Sequence, residues 1–150
     1  GGQLAHHDEP QAAVAPGIEA AHPIVIGPRA WIGGGTIVFY VTHLAAWEKL
    51  NRVVRGRQLD CLSRHLGASA YPYVVAGDLN AGPDSEEITA FRRAESMQMA
   101  GPPSPTHRVM EIALDYVFAD RGWRVVSSRT IDDGPSDHRP VLVELIHEKP

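Results

Sequence analysis

Seven polar side chains stand at, or next to, the ends of apolar and β-rich runs in this sequence. If those runs are strands of one sheet, their ends can meet at one edge, where carboxylates, imidazoles and a carboxamide would form a single site. The pattern therefore predicts a functional site at a sheet edge. In chain order its members are His43, Asp78, Asn80, Asp115, Ser136, Asp137 and His138.

The acidic members of this set need a partner of opposite charge. Two unpaired carboxylates about 4 Å apart repel by roughly 4 kcal/mol at an effective dielectric constant of about 20, so clustered ones do not all stay ionised without a cation. Because the lone Cys61 excludes a cysteine-based zinc site, the oxygen ligands favour a hard ion, Mg²⁺ or Mn²⁺. Such an ion suits hydrolysis of a phosphate ester, with a carboxylate and a histidine as acid–base groups.

Each motif alone has a simpler interpretation. A strand-end histidine such as His43 is more often structural, and the segment from Gly77 to Asn80 is compatible with an Asx turn. Asp115 could be a buried acid paired with an arginine. A serine hydrolase that uses Ser136 and His138 is disfavoured, because the sequence has no G-x-S-x-G elbow. The joint order of the motifs carries the prediction of a site.

The elements that must position these residues are predicted from hydrophobic periodicity and from turn-forming residues. Their order is strand, helix, strand, helix and then three strands, after a short β-like run at 23–27 and a glycine turn at 33–35. The strands are predicted at 36–44, 72–77, 111–119, 123–131 and 140–146. The helices are predicted at about 57–66, with Gly56 separating a loop before it, and at 85–97, capped by Asp84 or Ser85. Residues 101–106 are predicted to be loop because they contain three prolines.

Composition allows one soluble domain and excludes few functions. The 150 residues carry a formal net charge of −4, which disfavours a highly basic nucleic-acid coat. No apolar run approaches the roughly 18 residues that span a membrane. Residues 1–23 are rich in Ala, Gly, Pro and His and are predicted to be a flexible N-terminal arm, with one domain from 24 to 150. The compartment is not determined, and the cytoplasm is only slightly favoured.

Five short motifs form a combination that is specific enough to indicate a protein family. They are Thr42-His43-Leu44, Arg55-x-x-Gln58, Gly77-Asp78-Leu79-Asn80, Leu114-Asp115-Tyr116-Val117-Phe118 and Ser136-Asp137-His138-Arg139-Pro140-Val141. In this order they resemble the endonuclease/exonuclease/phosphatase superfamily, with its deoxyribonuclease I-like fold, from about residue 24 to the C-terminus. The resemblance implies an α+β protein with an α/β/β/α sandwich, and a metal-dependent hydrolase of phosphate esters.

The resemblance also implies a role for each matching residue. Asp78 would orient or deprotonate the attacking water, and Asn80 would hold the phosphate or that aspartate. His138 would bind or protonate the scissile phosphate, with Asp115 orienting its ring, and His43 would donate a hydrogen bond to the phosphate. The implied metal contacts are Asp137 and Asp78, to Mg²⁺ or Mn²⁺. The implied supporting residues are Arg55 and Gln58, which would brace the Gly77–Asn80 loop, and Ser136.

The family pattern has an earlier part that this sequence does not show. No strand ending in W-N-I and no Gln-Glu pair, whose glutamate is a principal metal ligand, occurs in the sequence. The expected fold is therefore incomplete, with about one sheet and its helices, and the chain alone is expected to be weakly active. Without a second sheet, an apolar face would stay uncovered, with side chains such as Val38, Tyr40, Val75 and Val117 on it.

The predicted partners follow from these expectations. The substrate is a phosphate ester, whether nucleic acid, nucleotide or phospholipid, and Arg92, Arg93, Arg108 and Arg139 are candidates for phosphate contact, although such scattered arginines are more often solvated. A missing N-terminal half or self-association would cover the open face. The alternative function is a non-catalytic fragment or interaction module that uses this face.

Overall fold

A computed structural model describes residues 24–26, 29–32, 35–46, 51–102 and 104–148. These residues form eight strands and two helices. The strands are β1 (Ile24–Ile26), β2 (Arg29–Ile32), β3 (Gly35–His43), β4 (Tyr73–Asp78), β5 (Gln98–Gly101), β6 (Asp115–Ala119), β7 (Trp123–Thr130) and β8 (Val141–His147). The helices are α1 (Arg52–Gly67) and α2 (Glu86–Glu95). The predicted arm at 1–23, most of the glycine turn, and Trp47 and Leu50, which sequence periodicity assigned to the helical stripe, lie outside the described residues.

The main sheet has the strand order β1-β3-β4-β6-β5, and β2 also pairs with β3. β3 and β4 are parallel, joined by the crossover that contains α1, whereas β4 with β6 and β6 with β5 are antiparallel. The C-terminal ends of β3 and β4 therefore meet the N-terminal end of β6 at one edge. The expected convergence of strand ends holds for these three strands.

Both helices cover one face of this sheet. α1 contributes Leu59, Leu62 and Leu66 to the main core, and α2 contributes Ile88 and Phe91. The prediction that Gly56 ends a loop before a helix at 57–66 is wrong, because α1 runs through it without interruption. A glycine inside a helix costs only about 1 kcal/mol, which the buried face of α1 outweighs. Ser85 caps α2 as predicted, its side chain accepting a hydrogen bond from the Ile88 N–H.

The other face is covered in part by β7 and β8, which pair only with each other and form a separate two-stranded sheet. Trp123 and Leu145 from this hairpin pack against Ile37 and Val74. A cavity of about 610 Å³ remains between the hairpin and β3, lined by Ile37, Phe39 and other mostly apolar residues. The last two predicted strands thus do not extend the main sheet but begin a second layer.

The predicted composition of the uncovered face was partly wrong. Val38 and Val75 are buried, at 7% and 0% exposure, and Val75 and Tyr40 pack with the helix-side core. Val117 packs with the hairpin-side cluster, together with Phe39. Alternate residues of a strand point to opposite faces, so the choice of face depends on register, which the sequence run did not fix.

Several boundaries also differ from the predictions. β2 and β5 were not predicted, and Gly101, assigned to a loop by its prolines, ends β5. β6 begins at Asp115 instead of 111, because the preceding residues form a turn held by Thr106. Asp115 is therefore the first residue of its strand, so it lies at the sheet edge.

Candidate active site

Three acidic and imidazole residues are aligned by strand register. His43 pairs with Asp78 across the parallel β3–β4 ladder, and Asp78 pairs with Asp115 across the antiparallel β4–β6 ladder. Each stands at an end of its strand, so the three are side by side on one edge of the sheet. Among the described residues, ligand atoms of Asp78, Asp115 and His138 lie within 4.8 Å of one another.

Gly77 permits the close approach of strands beside Asp78. Its φ of +147° favours glycine, and a Cβ at this position would lie 1.8 Å from the Thr42 carbonyl oxygen. A side chain there would push β4 away from β3, and with it Asp78 from His43. The glycine of the G-D-x-N motif is thus required by backbone geometry.

His138 and Asp115 form the best-defined pair of the site. Nδ1 of His138 lies 2.7 Å from Oδ2 of Asp115, and both side chains are about one-quarter exposed. Because a carboxylate accepts, Nδ1 carries a proton, which leaves Nε2 to face a substrate. Burial alone lowers the pKa of His138, but the hydrogen bond and the charges of Asp115 and Asp78 outweigh it, so that the pKa is raised above 6.5.

Asp78 is the carboxylate at the end of β4, and its surroundings act on its pKa in opposite directions. Its Oδ1 accepts a hydrogen bond of 2.8 Å from the Asn80 N–H, and its Oδ2 lies 3.6 Å from Nε2 of His43. Burial and then the neighbouring charge of Asp115 raise the pKa of Asp78, against the lowering effects of the Asn80 N–H and the two histidines. A group with this balance accepts a proton more readily than a solvated aspartate.

Asn80 is held in the left-handed region, with φ of 49°, and is 7% exposed. Its side-chain nitrogen donates to the Leu44 carbonyl at 3.1 Å, so the amide plane is fixed. Arg55 donates to the carbonyls of Ala45 and Ala46, and Gln58 accepts from the Ala45 N–H at 2.9 Å. The predicted braces therefore hold the 44–46 segment, which in turn holds the Asn80 loop.

Two supporting residues were missed by sequence reasoning. Thr106 is fully buried, and its Oγ1 accepts hydrogen bonds from the N–H groups of Leu114 and Asp115. The hydroxyl of buried Tyr116 donates toward the carbonyl oxygens of Ala81 and Ala113, and burial raises its pKa. The position of Tyr116 next to Asp115 in the D-Y-V-F motif was the available sign, whereas no local pattern points to Thr106.

The loop that carries His138 is held from both sides. Ser136 Oγ accepts from the His138 N–H at 3.1 Å, so Ser136 contacts the backbone of the residue that it is predicted to support. Arg108 donates to the Ser136 carbonyl and pairs with Asp132, and Arg139 pairs with Asp132 and Glu111. Arg108, from the segment before β6, and Arg139, within the loop, are two of the phosphate-contact candidates, and both are thus engaged in fixing the loop.

Asp137 stands apart from Asp78. Its side chain is 70% exposed, and its Oδ2 lies 3.9 Å from Nε2 of His107. Within the described part of the chain, Asp137 belongs to a second group of potential ligands with His107 and His138, whereas Asp78 groups with Asp115. The two predicted metal contacts are therefore placed in two groups that share His138.

The Asp78 group fits a divalent cation. It supplies carboxylate oxygens, which hard ions prefer, and the raised pKa of Asp78 reflects a burial and charge cost that a cation would offset. Oxygen donors at Asp78 and Asp115 could hold the ion. His138 could offer only Nε2 to the ion, because its Nδ1 is paired with Asp115.

Comparison with known proteins gives a family and a fold. No curated protein sequence matches the chain. Solved structures that match include a mannosyl-6-phosphatase of Bacteroides thetaiotaomicron, with 18% identity and a TM-score of 0.66 over 76% of this chain. The human Nocturnin catalytic domain with bound sulfate matches at 23% identity and a TM-score of 0.67 over 83%. A family protein of Beutenbergia cavernae matches at 22% identity and a TM-score of 0.69 over 82%.

The chain covers 52%, 53% and 39% of these three structures, so it corresponds to about half or less of each. The expected partial deoxyribonuclease I-like fold is confirmed, and the β7–β8 hairpin supplies a piece of its second layer. No helix in the described ranges is long and apolar enough to cross a membrane. The model of the Endonuclease/Exonuclease/phosphatase family matches residues 3–138, and with the site motifs in their expected order the chain belongs to this family.

Proposed function

We propose that this chain carries the acid–base and phosphate-contacting part of a Mg²⁺-dependent phosphoesterase that hydrolyses a phosphodiester or phosphomonoester. The observation that supports this is the meeting of Asp78, Asp115 and His138, which lie 37 and 23 positions apart in sequence, within 4.8 Å at one sheet edge. A carboxylate with a raised pKa beside an imidazole that has one nitrogen open is typical of an acid–base site.

Asp78 is proposed to act on the side of the phosphorus where water attacks, and His138 on the side of the leaving oxygen. Oδ2 of Asp78 accepts a proton from the attacking water as its oxygen bonds to phosphorus. His138, protonated at Nε2 and held through Nδ1 by Asp115, donates to a phosphate oxygen or to the leaving oxygen as its bond to phosphorus breaks. Asn80 and His43 provide further contacts to the phosphate, because both stand beside Asp78.

The proposed cofactor is Mg²⁺, with Mn²⁺ as a substitute. Asp78 and Asp115 would hold it, and Asp137, through its exposed carboxylate, would contact the same region. When bound, such an ion neutralises charge on phosphoryl oxygens and stabilises the leaving oxyanion. Nucleic acid, nucleotide and phospholipid substrates all present the phosphate group that this edge would contact.

The chain is proposed to need a partner for full activity. Val126, Leu142 and Ile146 of the hairpin are 44–46% exposed, and the 610 Å³ cavity lies beneath it. Since the chain corresponds to about half of the matched structures, the N-terminal half of such a domain is the proposed partner, with self-association as the alternative. Residues 1–23 are still proposed to be an arm that precedes the domain at 24–150.

A second candidate function rests on the same open surface. A non-catalytic interaction module would use the apolar cavity and the exposed hairpin side chains and leave the sheet edge unused. Complex formation without turnover of any phosphate ester would favour it.

The test is a metal-dependent hydrolysis assay on a panel of phosphomonoesters, phosphodiesters, nucleic acids and phospholipids. The chain is measured alone and with a family N-terminal half, after chelation and after Mg²⁺ is restored. The Asp78→Asn variant is expected to lose activity by at least about 10²-fold. Asp60→Asn, an equal change at an exposed position of α1, is the matched control.

Two results would contradict the proposed activity, and a third would contradict the need for a partner. Activity that survives in Asp78→Asn would exclude Asp78 from the reaction, and activity that persists after chelation would exclude the metal. High activity of the isolated chain with Mg²⁺ would contradict the need for a partner.

A further inference from the structure

His107 lies beside the proposed site, although no sequence motif singled it out. It forms isolated β-bridges with His138 and with Ile112, so its backbone is fixed to the His138 loop. Its ring packs edge-to-face on that of His138, with centroids 5.0 Å apart and planes at 70°. The side chain is 14% exposed, so the ring is largely enclosed but still reaches solvent.

The proton position on His107 follows from one backbone contact. The Met110 N–H donates to Nδ1 of His107 at 3.1 Å. A backbone N–H can only donate, so Nδ1 must accept and cannot carry a proton. In the neutral ring the proton is then on Nε2, which makes Nε2 a donor.

This arrangement makes His107 unsuitable as a metal ligand. Its ring lies in one group of possible ligands with Asp137 and His138, but a ligand atom needs a free lone pair, and in the neutral ring that lone pair, on Nδ1, accepts from the Met110 N–H. The Asp137 oxygen is 3.9 Å from Nε2, beyond hydrogen-bond length. The Nε2–H therefore remains available for an acceptor that enters between Asp137 and His138.

We propose that His107 is a phosphate-binding residue, whose Nε2–H donates to an oxygen of the substrate phosphate next to His138. The inference rests on the proposed function, because it places the phosphate at this edge. The rings of His107 and His138 are in contact, with centroids 5.0 Å apart, so a donor on each ring can reach the oxygens of one phosphate group through hydrogen bonds of about 2.9 Å. His138 must be in its cationic form to donate from Nε2, whereas His107 donates from Nε2 in its neutral form. The phosphate therefore meets one donor that is already in place before it binds.

The experiment measures binding of inorganic phosphate to the full chain, with and without Mg²⁺, by NMR of the ¹⁵N-labelled imidazoles. His107 is expected to show the Nε2–H tautomer, and its Nε2 signal is expected to shift with phosphate. His65, exposed on α1 away from the site, is the internal control and is expected not to move. A His107 ring protonated on Nδ1, or unmoved by phosphate, would overturn the proposal.

Two variants separate the donor from the packing. His107→Gln places an amide N–H near the position of Nε2, whereas His107→Asn keeps an acceptor for the Met110 N–H and removes the distant donor. The affinity for phosphate is expected to fall about tenfold in His107→Asn and to change less than about threefold in His107→Gln. Equal losses in both, or no loss in either, would contradict donation from Nε2, and melting temperatures would verify that both variants fold.

Failure of this inference can be distinguished from failure of the proposed function. If phosphate shifts His138 and His43 but not His107, the site stands and the His107 assignment is wrong. If His107 responds to phosphate while no ester is hydrolysed even with the N-terminal half added, the His107 assignment stands and the proposed activity is wrong. If no histidine responds, both are wrong.

Discussion

The sheet edge carries two histidine–aspartate pairs that are alike in composition and different in construction. His138 and Asp115 are 2.7 Å apart and each about one-quarter exposed. His43 and Asp78 are 3.6 Å apart, and the His43 side chain is 66% exposed. The first pair has the length of a charge-assisted hydrogen bond, whereas the second is an electrostatic contact that solvent weakens.

The difference shows how one pair of residue types can serve two purposes. Asp115 has its backbone N–H bound by buried Thr106, and His138 lies in a loop fixed by Ser136 and Arg108, so their ring geometry is set before substrate arrives. Neither ring nitrogen of His43 has so short a partner among the described residues, which leaves the ring free to turn toward a ligand. We therefore expect the first pair to be essential and the second to contribute modestly.

The largest effect is expected from replacing His138, the imidazole of the His138–Asp115 pair. His138→Asn is expected to lower the rate of phosphate-ester hydrolysis by roughly 10³-fold, because general acid catalysis contributes 10²–10⁴-fold in enzymes. The measurement is kcat in the presence of Mg²⁺, with His65→Asn as the control at an exposed position. A loss smaller than that of His43→Asn would reverse the comparison.

The second effect comes from replacing Asp115, which orients the His138 ring and is also proposed to contact the metal ion. Asp115→Asn is expected to lower activity by about 10- to 100-fold, as the loss of such orienting partners typically does. The same change is expected to lower the pKa of His138, because the hydrogen bond and charge of Asp115 raise it now. An NMR titration of His138 checks the shift, and an unchanged pKa would show that Asp115 does not act on this ring.

The pair also predicts a dependence of stability on pH. Since the pKa of His138 is raised in the folded state, its stabilising contribution is fully present below its ordinary value of 6.5 and is lost as pH rises through the folded-state value. Asp115→Asn removes this contribution. The difference in melting temperature between wild type and variant is therefore expected to narrow from pH 5 to pH 9, and a widening gap would contradict it.

A smaller effect on activity is expected from replacing His43 in the His43–Asp78 pair. His43→Asn is expected to reduce kcat/KM about two- to tenfold, the range of a single hydrogen bond in water. Most of the change is expected in KM, because His43 is proposed to contact the phosphate without transferring a proton. A loss as large as that of His138→Asn would show that the exposed histidine is also essential.

The smallest effect is expected on stability. Asp78→Asn is expected to raise the melting temperature although it lowers activity. Burial raises the pKa of Asp78, so its ionisation opposes folding above its ordinary value of 3.8. Asp78→Asn stays neutral and keeps an acceptor for the Asn80 N–H, so its melting temperature is expected to exceed that of wild type at pH 7 and to equal it near pH 3. The comparison is made in a chelator, and a lower melting temperature at pH 7 would count against it.

Much of the site could be predicted from sequence because its residues stand in motifs. Strand-end positions of His43, Asp78 and Asn80 follow from the apolar runs before them, and Ser85 was identified as a cap by its place before a helical run. The family match and fold neighbours confirm the partial deoxyribonuclease I-like architecture that these motifs indicated. Local chemistry was sufficient for these residues, because chain neighbours determine strands, caps and turns.

The sequence alone determined the family, the order of most elements and the residues available for chemistry. Only the tertiary structure decided which side chains meet. Register placed Asp115 beside Asp78, and a loop from the second layer brought His138 to Asp115. Without a local motif, Thr106 reached the site through its hydrogen bond to the Asp115 N–H, and His107 through a β-bridge to His138. Strand register and the packing of one sheet on another are set by contacts between distant parts of the chain, and no short stretch of residues encodes them.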